Sequence, residues 1–190
     1  SRGAHAMALH PIQTFARVDP TLFEGIVCTL EGDEQAMDLA AELVRRLGAR
    51  PAVIGAEDKA LYHAALCVAC NYLVVLADAG AGLLTTAGLG EDALDALLPL
   101  LGGTLDNLRR VGLPDALTGP ISRGDVATVR AHLAQLEARR PDLLPLYRIL
   151  GRRAIDLALR KGSLGEDDAD ALRRLLGGDP TPSPHGRGRG

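Results

Sequence analysis

The apolar and polar positions follow two patterns along the chain, and the first of them predicts an α/β unit. Short β-branched runs predict strands at 25–30 and 51–54, and the apolar positions between them recur with helical spacing behind a cap at Asp33. Residues 10–15 predict a strand end or a turn. Because two or three strands cannot bury a layer by themselves, we expect residues 1–55 to be the remnant of a larger sheet.

From residue 57 onward the pattern is purely helical. Helices are predicted at 58–86, 91–111, 125–139, 143–161 and 166–176. The end of the chain is rich in proline, glycine and arginine and is predicted to be disordered. The predicted fold class is therefore mainly α, with an α/β remnant at 1–55, an all-helical domain at 56–177 and a disordered tail at 178–190.

One uncharged run, ALYHAALCVACNYLVVLA at 60–77, is apolar on nearly every face of a helix. Such a helix is expected to be buried on all sides. The run is long enough for a membrane span, but it contains His63 and Asn71, is followed by Asp78 and lacks a basic flank. These features favour the core helix of a cytoplasmic protein that contacts no membrane, and no secretory signal pattern is present.

Composition narrows the classes of partner. The chain has 24 acidic and 21 basic residues and only 3% aromatic residues, so a nucleic acid is not an expected partner. Cys67 and Cys70 have the spacing of a metal or redox motif, but no second pair of ligands lies nearby. We therefore expect packing cysteines and no metal site, with metal or redox chemistry as the alternative.

His63 and Asn71 are the first candidates for chemistry. A helical histidine among apolar neighbours can be a core residue whose hydrogen bonds are satisfied inside the protein. It can equally be a general acid or base near neutral pH, with the asparagine orienting a substrate oxygen. The sequence leaves both interpretations open.

The loop ALTGPISRGD at 116–125 is the second candidate region. Ser122 and Asp125 have the spacing of a capping box that opens the following helix, with Ser122 as the N-cap. The alternative is an anion site, in which free amides at the helix N-terminus act together with Arg123.

Three motifs in this order resemble a known family: HPIQTF at 10–15, YHAA at 62–65 with Asn71, and ALTGP at 116–120 followed by RGD. The chain resembles bacterial oxidoreductases that join a Rossmann-like domain to a C-terminal helical domain of unknown function. That family is similar in architecture to pyrroline-5-carboxylate reductase and, more distantly, to ketopantoate reductase and 6-phosphogluconate dehydrogenase. The resemblance covers residues 4 to about 160.

The resemblance implies the end of a Rossmann-like domain followed by a helical domain like the C-terminal domain of 6-phosphogluconate dehydrogenase. It also implies a homodimer that uses NADP or NAD to reduce or oxidise a small carbonyl, imine or alcohol. The implied site residues are His63 and Asn71 for catalysis, Thr118, Arg123 and Asp125 for substrate, and His10, Pro11, Gln13 and Thr14 for the cofactor.

The chain departs from the family at the phosphate-binding turn, since no GxGxxG follows a strand. The pyrophosphate of a dinucleotide sits on that turn, so the chain by itself is not expected to bind the cofactor normally. The rival interpretation is a non-catalytic helical dimerisation or ligand-binding module.

Overall fold

The computed structural model describes residues 5–15 and 19–177, which form two compact units, Ser1–Val75 and Leu76–Gly190. The predicted disordered tail at 178–190 lies outside the described residues. The predicted domain boundary after residue 55 stays a prediction. Among its described residues, the first unit contains three strands and two complete α-helices: β1 (Met7–Pro11), β2 (Val27–Gly32), α1 (Glu34–Arg46), β3 (Arg50–Val53) and α2 (Lys59–Leu66).

The sheet of the first unit has β2 at its centre. β1 pairs with it in the antiparallel sense and β3 in the parallel sense. Because parallel neighbours need a crossover, α1 connects β2 to β3 and packs Ala40 and Val44 against Cys28 and Leu30. The predicted strands and α1 are confirmed. The strand end or turn predicted at 10–15 is confirmed as well, because β1 ends at Pro11 and a turn follows it.

The long apolar helix continues beyond α2 through two π turns. The first turn, Cys67–Asn71, leads into α3 (Tyr72–Leu84), and the second turn occupies Thr85–Leu89. By length and composition alone, a window within Ala56–Val111 could cross a membrane, and none of that window is buried. The expectation that the protein contacts no membrane stays a prediction.

The prediction that the run at 60–77 is buried on all sides is wrong within this chain. Val68 is 64% exposed and Val74 is 69% exposed. Helical periodicity identifies an apolar surface but does not identify what covers it. The chain itself leaves much of that surface uncovered.

The second unit is helical. Its described part, up to residue 177, contains the C-terminal part of α3 and four further α-helices: α4 (Ala93–Val111), α5 (Val126–Arg139), α6 (Leu144–Lys161) and α7 (Glu166–Leu175). Val129, Ile155 and Leu172 are fully buried where α5, α6 and α7 meet. The predicted fold class is confirmed, since the chain is mainly α with a small three-stranded α/β unit.

Candidate functional site

A cleft of about 360 Å³ in the first unit brings six predicted site residues together. Its wall combines the chain that follows β1 with the middle of the long helical segment. The predicted residues that line it are His10, Pro11, Gln13, Thr14, His63 and Asn71. We call it the His63–Asn71 cleft.

The chain turns sharply at the end of β1, and this turn builds one wall of the cleft. The Ile12 N–H donates to the Val27 carbonyl at 2.8 Å, which is the last bond of the ladder to β2. The Gln13 N–H then donates back to the Pro11 carbonyl at 2.9 Å. The Thr14 N–H donates to Oε1 of Gln13 at 2.9 Å, so the Gln13 side chain also holds the turn.

The π turn aligns His63 with Asn71. Eight residues of regular α-helix rotate by about 80° beyond two full turns, which would separate the two side chains. A π turn accommodates one extra residue, so the same eight residues complete about two turns and return to one face. The backbone irregularity at Cys67–Asn71 therefore explains why both side chains line one cleft. Irregularities of this kind are frequent at functional sites.

Both candidate catalytic side chains are exposed in this chain. The expectation of a buried histidine and a buried asparagine is therefore wrong, because the helix that carries them is not covered by the rest of the chain. The Sγ atom of Cys67 lies 3.9 Å from Nδ1 of His63. The imidazole remains accessible to a ligand in the cleft.

The cysteines divide into one core residue and two residues of the cleft. Cys28 is buried under α1, and burial raises the pKa of its thiol. Cys67 is half-buried and Cys70 is exposed, and both line the His63–Asn71 cleft. The prediction of packing cysteines is therefore wrong for Cys70. Within residues 5–15 and 19–177, no group of three metal-ligating side chains is placed to hold a metal ion.

A second cleft of about 470 Å³ adjoins the first, because His10 and His63 line both. It is also lined by two polar side chains that are not among the predicted site residues, Tyr62 and Lys59. Lys59 Nζ lies 2.7 Å from a carboxylate oxygen of Glu31 and so ties the start of α2 to the end of β2. Tyr62 belongs to the YHAA motif, but its hydrogen-bond partner, His10, is distant in sequence. We call this the Tyr62 cleft.

The three predicted substrate residues, Thr118, Arg123 and Asp125, belong to the second unit. Thr118 and Arg123 are exposed. Oδ1 of Asp125 accepts the Thr128 N–H at 3.0 Å, and Oδ2 accepts its hydroxyl at 2.6 Å, so Asp125 is the N-cap of α5. The structure thus gives Asp125 a capping role and leaves Thr118 and Arg123 on the surface.

The predicted capping box with Ser122 as N-cap is wrong. A short 3₁₀ turn at Ile121–Arg123 and a left-handed Gly124 (φ +69°) delay the start of α5 by three residues. Ser122 is buried instead, with its Oγ 2.9 Å from Oγ of Ser163. The Asp125 carboxylate accepts the Thr128 N–H, so this amide is not free for an anion, and the anion site with Arg123 stays a prediction.

Replacing Asp125 with alanine tests this assignment. Two hydrogen bonds from Thr128 lower the pKa of Asp125, and the one from its hydroxyl has the larger effect. The ionised side chain therefore stabilises the fold at neutral pH. We expect the Asp125→Ala melting temperature to fall by roughly a few degrees at pH 7. The difference should shrink as the pH falls through the lowered native pKa, because the native carboxyl then becomes protonated.

Thermal unfolding followed by circular dichroism measures the effect, with Glu137→Ala on the same helix as control. Asp125→Asn should retain most of the stability, since an asparagine oxygen also caps a helix. Equal melting temperatures for Asp125→Ala and the original protein would contradict the capping role.

The second unit has a cavity of its own, of about 410 Å³, which none of the predicted residues lines. It contains a second tyrosine–histidine pair, in which Nδ1 of His132 lies 2.8 Å from the Tyr147 hydroxyl. Burial raises the pKa of Tyr147. Arg140 also lines the cavity and is bound by Asp142, whose pKa this arginine lowers.

Solved structures resemble the chain, among them the following two. Protein TM1727 from Thermotoga maritima is 28% identical with a TM-score of 0.74, over 82% of this chain and 62% of that one. The "putative NADP oxidoreductase BF3122" from Bacteroides fragilis is 26% identical with a TM-score of 0.65, over 82% of this chain and 60% of that one. The chain therefore spans about three fifths of the length of these two proteins.

No curated protein matches the chain significantly. Residues 26–154 match the model of a family described as "Domain of unknown function (DUF2520)". The match includes α1, α2, the two catalytic candidates and the capped start of α5. Of the two solved neighbours, the Bacteroides fragilis protein is the one whose description names an oxidoreductase. Because the match covers more than half of the sequence, the chain belongs to the DUF2520 family.

Proposed function

We propose that the chain supplies dimerisation and substrate-site residues to a cytoplasmic oxidoreductase that uses NADP or NAD. The substrate would be a small carbonyl, imine or alcohol. The observation that carries this proposal is the His63–Asn71 cleft, where residues 10–14 meet both catalytic candidates. A solved neighbour described as an NADP oxidoreductase supports the cofactor class.

The cleft suits one end of the cofactor. A volume of about 360 Å³ is at the small end of ligand pockets and fits a nicotinamide ring or a small substrate, but not a whole dinucleotide. Gln13, Thr14 and His10 offer polar side chains at its rim. When bound, the nicotinamide supplies or accepts a hydride. The chain contains no GxGxxG turn, so these residues fit the reactive end alone.

His63 would move the proton that accompanies the hydride. Hydride addition leaves negative charge on a carbonyl oxygen or an imine nitrogen, and an imidazolium beside that atom donates a proton to it. In the reverse direction the neutral ring accepts the proton. The exposed ring can exchange protons with solvent. Asn71, on the same face, would donate an amide hydrogen bond that orients the substrate.

The remaining assignments rest on the resemblance. Thr118, Arg123 and Asp125 remain proposed substrate contacts from the helical unit, although Asp125 is engaged with Thr128. The narrower likeness to pyrroline-5-carboxylate reductase would imply an imine substrate and stays a hypothesis. The proposal of a homodimer is supported by the exposed apolar surface of the helices.

On this proposal the full-length protein is the chain of 190 residues joined to the Rossmann-like segment that carries the phosphate-binding turn. Titrating this full-length protein with NADPH tests the proposal. We expect saturable binding, measured as quenching or enhancement of the nicotinamide fluorescence. NADH is titrated in parallel. The chain of 190 residues by itself serves as the control and should bind more weakly, because it lacks the phosphate-binding turn. Failure of the full-length protein to bind either nucleotide would favour the rival, a helical dimerisation or ligand-binding module.

A further inference from the structure

Tyr62 and His10 form a hydrogen-bonded pair between α2 and β1. The Tyr62 hydroxyl lies 2.7 Å from Nδ1 of His10, and the two rings meet edge-on with centroids 5.5 Å apart. Tyr62 is half-buried, whereas His10 is exposed. The pair joins residues 52 positions apart in sequence, so it depends on the docking of α2 beside the sheet.

The strand explains why His10 faces α2. Side chains alternate along a strand, so Leu9 and His10 point to opposite faces of the sheet. Leu9 packs against the core under α1, which leaves His10 on the other face. Its carbonyl accepts a hydrogen bond from the hydroxyl of Thr29 at 3.2 Å, which further fixes the backbone there. The imidazole therefore enters both clefts from a fixed point on the sheet.

The ion pair between Lys59 and Glu31 holds the first turn of α2. Its atoms are 2.7 Å apart, and Lys59 precedes Tyr62 by one helical turn. Because Lys59 is paired with Glu31, it connects α2 to β2 and is not an unpaired positive charge for a ligand. The ion pair therefore helps to fix the helical turn that carries Tyr62, and His10 fixes the position of its hydroxyl.

The hydrogen bond has a preferred direction. A phenol is a good donor and a weaker acceptor, whereas an unprotonated imidazole nitrogen accepts well. With the Tyr62 O–H donating to Nδ1, the proton of the neutral ring sits on Nε2. The imidazolium also carries a proton on Nε2. In both charge states Nε2 is then a donor, and it is the ring nitrogen left to contact a ligand in the clefts.

We propose that Tyr62 is a positioning residue that keeps His10 as an Nε2–H donor to the carboxamide oxygen of a bound nicotinamide. The inference rests on the proposed function, since it assumes that the cleft receives the nicotinamide. It assigns His10 a defined chemical role and gives the tyrosine of the YHAA motif a function. No proton leaves the pair, because the role is recognition rather than transfer.

Nitrogen-15 spectra of the histidine rings test the tautomer without any ligand. In the full-length protein we expect Nδ1 of neutral His10 to be unprotonated, and in Tyr62→Phe we expect a shift toward a mixture of tautomers. Tyr147→Phe is the matched control, because it removes the equivalent hydrogen bond to His132 in the other unit. Tyr72→Phe, at an exposed position on α3, controls for loss of any tyrosine. An unchanged His10 spectrum in Tyr62→Phe would overturn the proposal.

Measuring the affinity for NADPH then tests the role of Nε2 of His10. We expect Tyr62→Phe to raise the Kd for NADPH roughly fivefold, the worth of one neutral hydrogen bond. The thionicotinamide analogue replaces the carboxamide oxygen with sulfur, a poorer acceptor, so its binding should hardly change in this variant. Equal losses for both nucleotides, or none, would overturn the assignment to that oxygen. Thermal melts establish that each variant is folded.

The two readouts separate this proposal from the proposed function. If the original full-length protein binds neither nucleotide, the oxidoreductase proposal fails and the role of Nε2 fails with it. The ring spectra still decide whether Tyr62 fixes the tautomer. If NADPH binds but Tyr62→Phe behaves like the Tyr147→Phe control, only the positioning role fails.

Discussion

The His63→Gln variant of the full-length protein is expected to lose turnover by about two to four orders of magnitude, while it unfolds at nearly the original temperature. That loss is the usual contribution of a general acid or base. The stability should persist because His63 is exposed and the side-chain contact that the described part of the chain shows for it is a weak one, with the Sγ atom of Cys67 at 3.9 Å. Initial rates of NADPH oxidation and thermal melts measure the two effects.

A matched control is available on another helix. His132 is also helical and exposed, but it lines the cavity of the second unit that contains none of the proposed site residues, so His132→Gln should keep its activity. Equal rates for His63→Gln and the original protein would contradict a catalytic role. A large drop in melting temperature with unchanged specific activity would instead make His63 a structural residue.

Charged substitutions on α4 are expected to convert the proposed homodimer into monomers. Five leucines recur at spacings of three and four residues and so share one face of the helix. They are Leu94, Leu98, Leu101, Leu105 and Leu108. Four of them are exposed in the single chain, Leu98 by 54%. Burying a leucine is worth about 1.5–3 kcal/mol, so a second copy covering this face would gain substantially.

The Leu98→Glu and Leu105→Glu double variant places charge on this face. In a two-fold dimer each substitution counts twice, so we expect the dissociation constant to rise by several orders of magnitude. Sedimentation velocity measures the change. Leu100→Glu is the control, because Leu100 is 66% exposed on a different face of the same helix. If the original protein is monomeric, the proposed dimer is contradicted. Flotation of that protein with phosphatidylcholine vesicles would then show that a membrane covers this face of α4.

The helices were predictable because their signals are local. The four predicted after residue 90 begin and end within two residues of the observed ones. Several stop at a glycine that adopts positive φ, as α4 does at Gly112 and α6 at Gly162. Such capping positions depend on a few neighbouring residues. The N-cap of α5 was predicted wrongly for the same reason. Ser122 and Asp125 are both suitable N-cap residues, and only the 3₁₀ turn between them makes Asp125 the N-cap.

The candidate site was predictable in its residues but not in its geometry. Residues 10–14, His63 and Asn71 came from motifs, and they line one cleft. Helical periodicity could not reveal the π turn that aligns His63 with Asn71, since the composition at 67–71 is compatible with a regular helix. Tyr62 was missed because its hydrogen-bond partner lies 52 residues away.

The sequence by itself determined the types and limits of most elements, the mainly helical fold class and the candidate residues, since backbone preference and apolar periodicity act over a few positions. Only the tertiary structure decided which side chains converge and which apolar surfaces remain open. Burial depends on contacts between distant segments, so the run at 60–77 looked like a core helix yet is exposed in this chain. The same docking of α2 beside the sheet brings Tyr62 to His10 and so determines which atoms face a ligand.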